Sequence, residues 1–211
     1  MIELIDPIIS SNKIDISTGL NVHYLEASKN NNNQPIALLL HGFPELSFSW
    51  RKIIPILAYE GFRVIAPDMR GYGLTSGGTK KYDTNISEYR LLNLTTDILS
   101  LISALKINKV HLLVGHDAGS SVAGTSALIR PDIFKSVVMM SAPFTGAPNI
   151  DSNLSCQDPI HKGLEELNPP RKHYQWYYST SEANKDMHLD REELHKFLRA
   201  YYHMKSADWK E

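Results

Sequence analysis

Residues 36–141 alternate between short apolar runs and longer amphipathic stripes, and no other feature so restricts the folds open to this chain. The first run, Ile36-Ala-Leu-Leu-Leu40, has no polar position, as a strand covered on both faces requires. Trp50, Ile53, Ile54, Leu57 and Ala58 then recur at helical spacing, with Gly61 as a stop. Pro55 lies inside that stripe and predicts a kink or a break into two shorter helices. A strand over 62–66 and a glycine-punctuated loop over 70–78 follow. Leu91, Leu94, Ile98, Leu101, Ile102 and Leu105 mark a long amphipathic helix. A strand over 110–114, a helix of small residues over 119–130 and a strand over 136–140 complete the series. The order β-α-β-α-β-α-β predicts an α/β fold, a mostly parallel sheet with helices on both faces. Upstream, two short strands are expected over 14–16 and 20–25, turned at Thr18-Gly19.

After Pro143 the texture changes. Residues 144–159 are rich in Gly, Pro, Asn, Asp and Ser and read as a linker. Aromatic helical stretches follow over 174–178 and 190–203, the second headed by a capping pair, Asp190 and Glu193. The expected organisation is a core over 1–145 and a linker with helical elements over 146–211.

A formal net charge of -1 argues against a nucleic-acid interface or an anionic membrane surface as partner. Cys156 is the one cysteine, so no internal disulfide can form and a reducing compartment is expected. The N-terminal residues lack the basic and apolar regions of a secretory signal. The apolar runs are strand-sized, too short to span a bilayer. The expected setting is cytoplasmic, and three Asn-x-Ser/Thr matches are read as chance. Nothing in the sequence calls for a cofactor or a metal.

The segment that carries chemistry is Val114-Gly-His-Asp-Ala-Gly119, at a strand-to-helix junction. It has the form of a nucleophile elbow, with Asp117 where Ser is commoner. Such a turn strains its central residue and packs so tightly that Gly115 and Gly119 must lack side chains. Taken alone, the motif fits a helix-capping aspartate better than a nucleophile.

It does not stand alone. His41-Gly-Phe-Pro-Glu45 ends the strand over 36–40, and Ser49-Trp50-Arg51 and Val64-Ile-Ala-Pro-Asp-Met-Arg-Gly-Tyr-Gly73 follow in order before Gly115-His-Asp117. With these, residues 12–150 resemble the epoxide hydrolase branch of the α/β-hydrolase family. The resemblance implies an α/β-hydrolase fold, incomplete at its C-terminus, with the start of a helical cap over 146–211. It implies that Asp117 is the nucleophile and that the backbone N–H groups of Phe43 and Ala118 form the oxyanion hole, with a cis Phe43-Pro44 peptide orienting the first. His41, Pro44, His116 and Trp176 would line the substrate side, the two histidines as framing residues and not as the general base. His173-Tyr-Gln-Trp-Tyr-Tyr178 is similar to the cap segment that carries the family's first proton-donor tyrosine, which gives that role to Tyr174. Tyr174, Trp176, Tyr177 and Tyr178 read equally well as packing residues of the cap.

An aspartate suits a different reaction from a serine. A carboxyl with an ordinary pKa of roughly 3.9 is already ionised at neutral pH, so its attack on an sp³ carbon needs no base. Epoxide opening leaves an alkyl ester, which water activated by a His–acid pair then cleaves. Dehalogenases of the same fold are the nearest rival, but many hold the halide with a Trp where this chain has Ala118. The family's acid and histidine follow later strands, whereas His161, His173, His188, His195 and His203 fall in the linker or cap. The other acid position, after the sixth strand, holds Ser141-Ala142. The 211 residues are therefore expected to alkylate Asp117 once, with a hydrophobic epoxide as substrate, and stall. The competing reading is a non-catalytic remnant that binds a small apolar ligand or a partner. Residues 136–140 would leave an apolar sheet edge open to self-association.

Overall fold

The computed structural model describes residues 5–29, 34–79, 81–144, 146, 159–188 and 190–210. The chain divides into two compact units, Met1–Ala147 and Pro148–Glu211. The expected linker falls almost wholly outside the described residues.

In the first unit, strands β1 (Ile9–Asp15) and β2 (Asn21–Ala27) form an antiparallel hairpin. It is longer than the sequence suggested, because Asn12 and Lys13 interrupt the apolar alternation without interrupting the ladder. The turn is where expected: Gly19 has φ 83° and donates its N–H to the Ile16 carbonyl. Strands β3 (Ile36–Leu40), β4 (Arg63–Pro67), β5 (Leu112–His116) and β6 (Val137–Met140) complete a six-stranded sheet of order β1-β2-β4-β3-β5-β6. The β2–β4 pair is antiparallel, and β4–β3, β3–β5 and β5–β6 are parallel. The expected strand over 110–114 is corrected by two residues: Val110 makes only an isolated bridge to Phe134, and the ladder runs on to His116.

Helix α1 (Ile53–Tyr59) follows a 3₁₀ turn over Ser47–Lys52. The expected break is present but precedes Pro55, which sits in the first helical turn, where its missing N–H costs nothing. Helices α2 (Leu91–Ala104) and α3 (Ala118–Ile129) match the expected stripes within a residue or two.

The strand period of two divides the core. Leu38, Leu40, Ile65 and Leu113 pack with Ile98 and Ile102 of α2 and Val122 of α3. Ala37, Leu39, Val64 and Ala66 face the other way, against Trp50, Ile54 and Ala58. Each fully buried Leu or Ile here contributes roughly 1.5–3 kcal/mol. Strand β6 stands last in the sheet order, with Val138, Met139 and Met140 respectively 45%, 39% and 42% exposed.

Buried charge pins the loop after β4. Asp68 accepts the backbone N–H groups of Ser47 (2.9 Å) and Leu74 (3.0 Å) and pairs with His23 Nδ1 at 2.7 Å. Burial alone would raise its carboxyl, but these hydrogen bonds outweigh that and hold it below the ordinary range. Two residues on, Arg70 makes a two-pronged contact with Asp97 of α2 (2.7 and 2.8 Å) and a third bond to Glu88 at 2.7 Å.

The second unit holds α4 (Pro159–Glu165), α5 (Tyr174–Tyr178), α6 (Ser181–Asp186) and α7 (Arg191–Met204). The carboxylate of Asp190 caps α7 by accepting the N–H groups of Glu192 and Glu193, both at 2.9 Å. Among the described residues, no helix is long and apolar enough to cross a membrane.

Candidate active site

Strand β5 runs straight into α3, and Asp117 stands at the bend with φ 53° and ψ -120°. For a residue with a Cβ this conformation costs on the order of 1–3 kcal/mol, so the surroundings must enforce it. They do so from three sides. The Asp117 N–H donates to the Met140 carbonyl of β6 at 3.0 Å. The buried Ser120 hydroxyl shares its proton between the Gly115 (2.7 Å) and Met140 (2.8 Å) carbonyls and accepts the Met140 N–H at 3.0 Å. Gly119 lies so close that a Cβ there would stand 2.5 Å from the carbonyl oxygens of both Leu40 and His41. A Cβ on Gly115 would overlap the Gly119 backbone, the crowding expected of this turn.

The Asp117 side chain makes no cap hydrogen bond to its own helix. Its Oδ1 instead accepts the Phe43 N–H at 3.0 Å, across 74 residues of sequence. The capping alternative is thereby corrected: the carboxylate faces the loop after β3, where the Phe43-Pro44 peptide is cis. Gly42 permits the approach, since a Cβ there would strike the Asp117 side chain. Ala118 opens α3, so its N–H belongs to the first-turn donors without a partner inside the helix. Asp117 is partly exposed, as a group meeting a ligand must be.

His41 does not present a ring nitrogen to that space. It is fully buried, with Nδ1 2.9 Å from the Gly42 carbonyl and Nε2 accepting the Met69 N–H at 3.0 Å. A ring nitrogen that accepts from a backbone amide carries no proton, so this imidazole is neutral, and burial lowers its pKa further. The expectation that His41 lines the substrate side is corrected to framing alone. Tyr72 packs edge-on against it, ring centroids 4.9 Å apart. Burial pushes the Tyr72 phenol up, and the charge of Asp117 adds to the shift.

His116 pairs through Nδ1 with Glu45 Oε2 at 3.1 Å, both side chains partly exposed. Pro44 is likewise half-buried. In the second unit, Tyr174 opens α5, and Trp176 stacks on His161 with ring centroids 4.0 Å apart and planes 5° from parallel. The clamp by Ser120, the anchor at Asp68 and the Glu45–His116 pair were not anticipated. Glu45 and Asp68 lie inside the motifs that carry the family resemblance, but only their partners, 71 and 45 residues away in sequence, reveal what they do.

The chain is similar to several known proteins. An epoxide hydrolase of Caballeronia sordidicola is 43% identical over 131 residues, which is 62% of this chain and 37% of that protein. Epoxide hydrolase B of Mycobacterium tuberculosis is 36% identical over 168 residues, 78% of this chain and 46% of its own. The crystal structure of an epoxide hydrolase from Vigna radiata superposes with a TM-score of 0.64 at 32% identity, covering 75% of this chain and 48% of that one. The chain thus spans less than half the length of each. The family model described as alpha/beta hydrolase fold matches residues 35–201, far more than half of the sequence. By that match, and by a sheet ordered β1-β2-β4-β3-β5-β6, the chain belongs to the α/β-hydrolase fold family.

Proposed function

We propose that the chain carries the nucleophilic half of an epoxide hydrolase, with Asp117 opening a hydrophobic epoxide and retaining it as an alkyl ester. The observation that carries this reading is the strained Asp117 carboxylate, turned from its own helix toward the Phe43 N–H. One carboxylate oxygen bonds to an epoxide carbon as the ring C–O bond breaks, and the ring oxygen takes a proton from water. The Phe43 and Ala118 N–H groups then serve as the oxyanion hole when water attacks the ester carbonyl, each worth about 3 kcal/mol. Pro44 and His116 contact the substrate, and residues 146–211 are a linker and part of a helical cap. The sole cysteine supports a cytosolic setting.

The second half-reaction needs a base. In the first unit both ring nitrogens of His23 and His41 are already bonded, His111 accepts the Ile36 N–H, and His116, paired with Glu45, is read as framing the elbow. The 211-residue chain incubated with styrene oxide should gain the mass of one epoxide and release no diol. Steady diol release would overturn the stalled-ester reading. Absence of both adduct and diol would favour a non-catalytic binding role.

The reading extends to a second copy of the chain as a partner at the β6 edge. Strand β6 ends the sheet order, and its exposed Val138, Met139 and Met140 form an apolar template for pairing. Sedimentation should show concentration-dependent dimers that Val138→Lys weakens; a monomer at all concentrations would exclude this edge as an interface.

A further inference from the structure

Away from the elbow, the β1–β2 hairpin brings a second nucleophile into line with a base and an acid. Ser11 of β1 is exposed, and its Oγ lies 2.9 Å from Nε2 of His23 on β2. The other ring nitrogen, Nδ1, lies 2.7 Å from Oδ2 of Asp68, just past the end of β4. His23 is 6% exposed and Asp68 2%, so water reaches the hydroxyl while the base and the acid are shielded. The antiparallel register sets the first contact. His23 stands opposite Lys13, and Ser11, two positions along β1, shares that face of the sheet.

Hydrogen bonding fixes the proton positions. Asp68 accepts the Ser47 and Leu74 N–H groups, which hold its carboxyl below the ordinary range and leave it an ionised acceptor at neutral pH. His23 Nδ1 therefore carries a proton and donates it to Asp68 Oδ2. In the neutral ring Nε2 is then a lone pair, and the Ser11 hydroxyl donates to it. The carboxylate cannot turn away, because both its oxygens are engaged and a Cβ on Gly73 would already overlap it. Both links fall within the roughly 2.6–3.2 Å over which a base activates a nucleophile and an acid orients the base. Lys13 adds a flexible cation, whose stem spans the gap of about 7 Å between alternate residues of a strand, for an oxyanion formed at Ser11.

We propose that Ser11, His23 and Asp68 form a second reactive site, at which Ser11 is acylated by small activated phenol esters, independently of Asp117. The Ser11 oxygen bonds to the acyl carbon while its proton passes to His23 Nε2. The bond from that carbon to the aryl oxygen then breaks, and the phenolate leaves with the electron pair. The imidazolium, paired with Asp68, returns the proton to solvent. Water deprotonated by the same nitrogen later attacks the acyl carbon, releases the carboxylic acid and restores the hydroxyl.

The test treats the full chain and its Asp117→Asn variant with para-nitrophenyl acetate. Nitrophenolate release is followed by absorbance, and the acetylated residue is located by fragmenting the labelled peptide. Both proteins should carry acetyl on Ser11. Ser10, the next residue, donates to the Glu26 carbonyl and has no base, so it should stay unlabelled. Ser11→Ala, an exposed change that leaves the buried pair intact, should lose the label and the fast phase of release. His23→Gln should slow acetylation of Ser11 by about a hundredfold or more. No acetyl on Ser11, equal labelling of Ser10 and Ser11, or loss of the label in Asp117→Asn would each overturn the proposal. So would wild-type labelling in a His23→Gln protein that unfolds cooperatively in urea. If His23→Gln does not fold, the comparison of Ser11 with Ser10 in the parent chain decides, since a hydrogen bond that merely satisfies His23 would leave the two hydroxyls equally inert.

Discussion

Asp117→Asn should abolish covalent capture of an epoxide, lowering the rate by about four orders of magnitude or more, while the fold survives. The amide keeps the size of the carboxylate and can still accept the Phe43 N–H, so the bend and its glycine packing are undisturbed. It loses the full negative charge that makes the oxygen a nucleophile. Asp117→Gly should be equally inert toward the epoxide but more stable than the parent, by roughly 1 kcal/mol, because glycine adopts the left-handed region without a Cβ penalty. The parent residue pays that penalty at φ 53°. Urea unfolding of the three proteins, beside intact mass after exposure to the epoxide, reads both effects. Opposite signs at one residue, inactive yet more stable, would mark strain retained for reactivity. Adduct formation by Asp117→Asn would refute the nucleophile. A destabilised Asp117→Gly would refute the strain.

The largest stability effect is expected at Arg70. Its side chain is 6% exposed and bonded to Asp97, itself 8% exposed, and to Glu88. Burial opposes the guanidinium charge, but the Asp97 hydrogen bonds outweigh it and raise the pKa. Arg70→Met would leave Asp97 buried with the Thr18 hydroxyl, 2.6 Å away, as its remaining side-chain donor among the described residues. Stranding one partner of a buried pair costs about 3–5 kcal/mol, far more than the pair itself contributes. The damage should reach the elbow, because the same loop carries the Met69 N–H to His41 and the Leu74 N–H to Asp68. Arg70→Met with Asp97→Leu should recover more than half of the loss, since two apolar groups leave no stranded charge. A single Arg70→Met that costs less than about 1 kcal/mol in urea unfolding would show that the network is not structural.

The sheet was legible in the sequence because strand and helix periods are local properties. The all-apolar 36–40 run and the Leu91–Leu105 stripe each needed only their own residues to be read. Strand ends were less legible. The register of β5 is set by Leu39 and Leu40 on one side and by Val137–Met140 on the other, so its shift from 110–114 to Leu112–His116 is a tertiary effect. The same divide runs through the site. Gly115 and Gly119 announce crowding by their spacing. Whether Asp117 caps α3 or turns outward depends on an N–H 74 residues away, which no local pattern encodes. Ser120, Asp68 and Arg70 stayed hidden for the same reason: a polar residue in a loop or helix looks solvated until its distant buried partner is known.

The nucleophile is located most directly by a peptide map of the chain after exposure to styrene oxide. One modified peptide is expected, the one containing Asp117, with the added mass lost on mild alkaline cleavage of the ester. Modification confined to a histidine or to Cys156, or none on that peptide, would contradict the assignment of Asp117 as nucleophile.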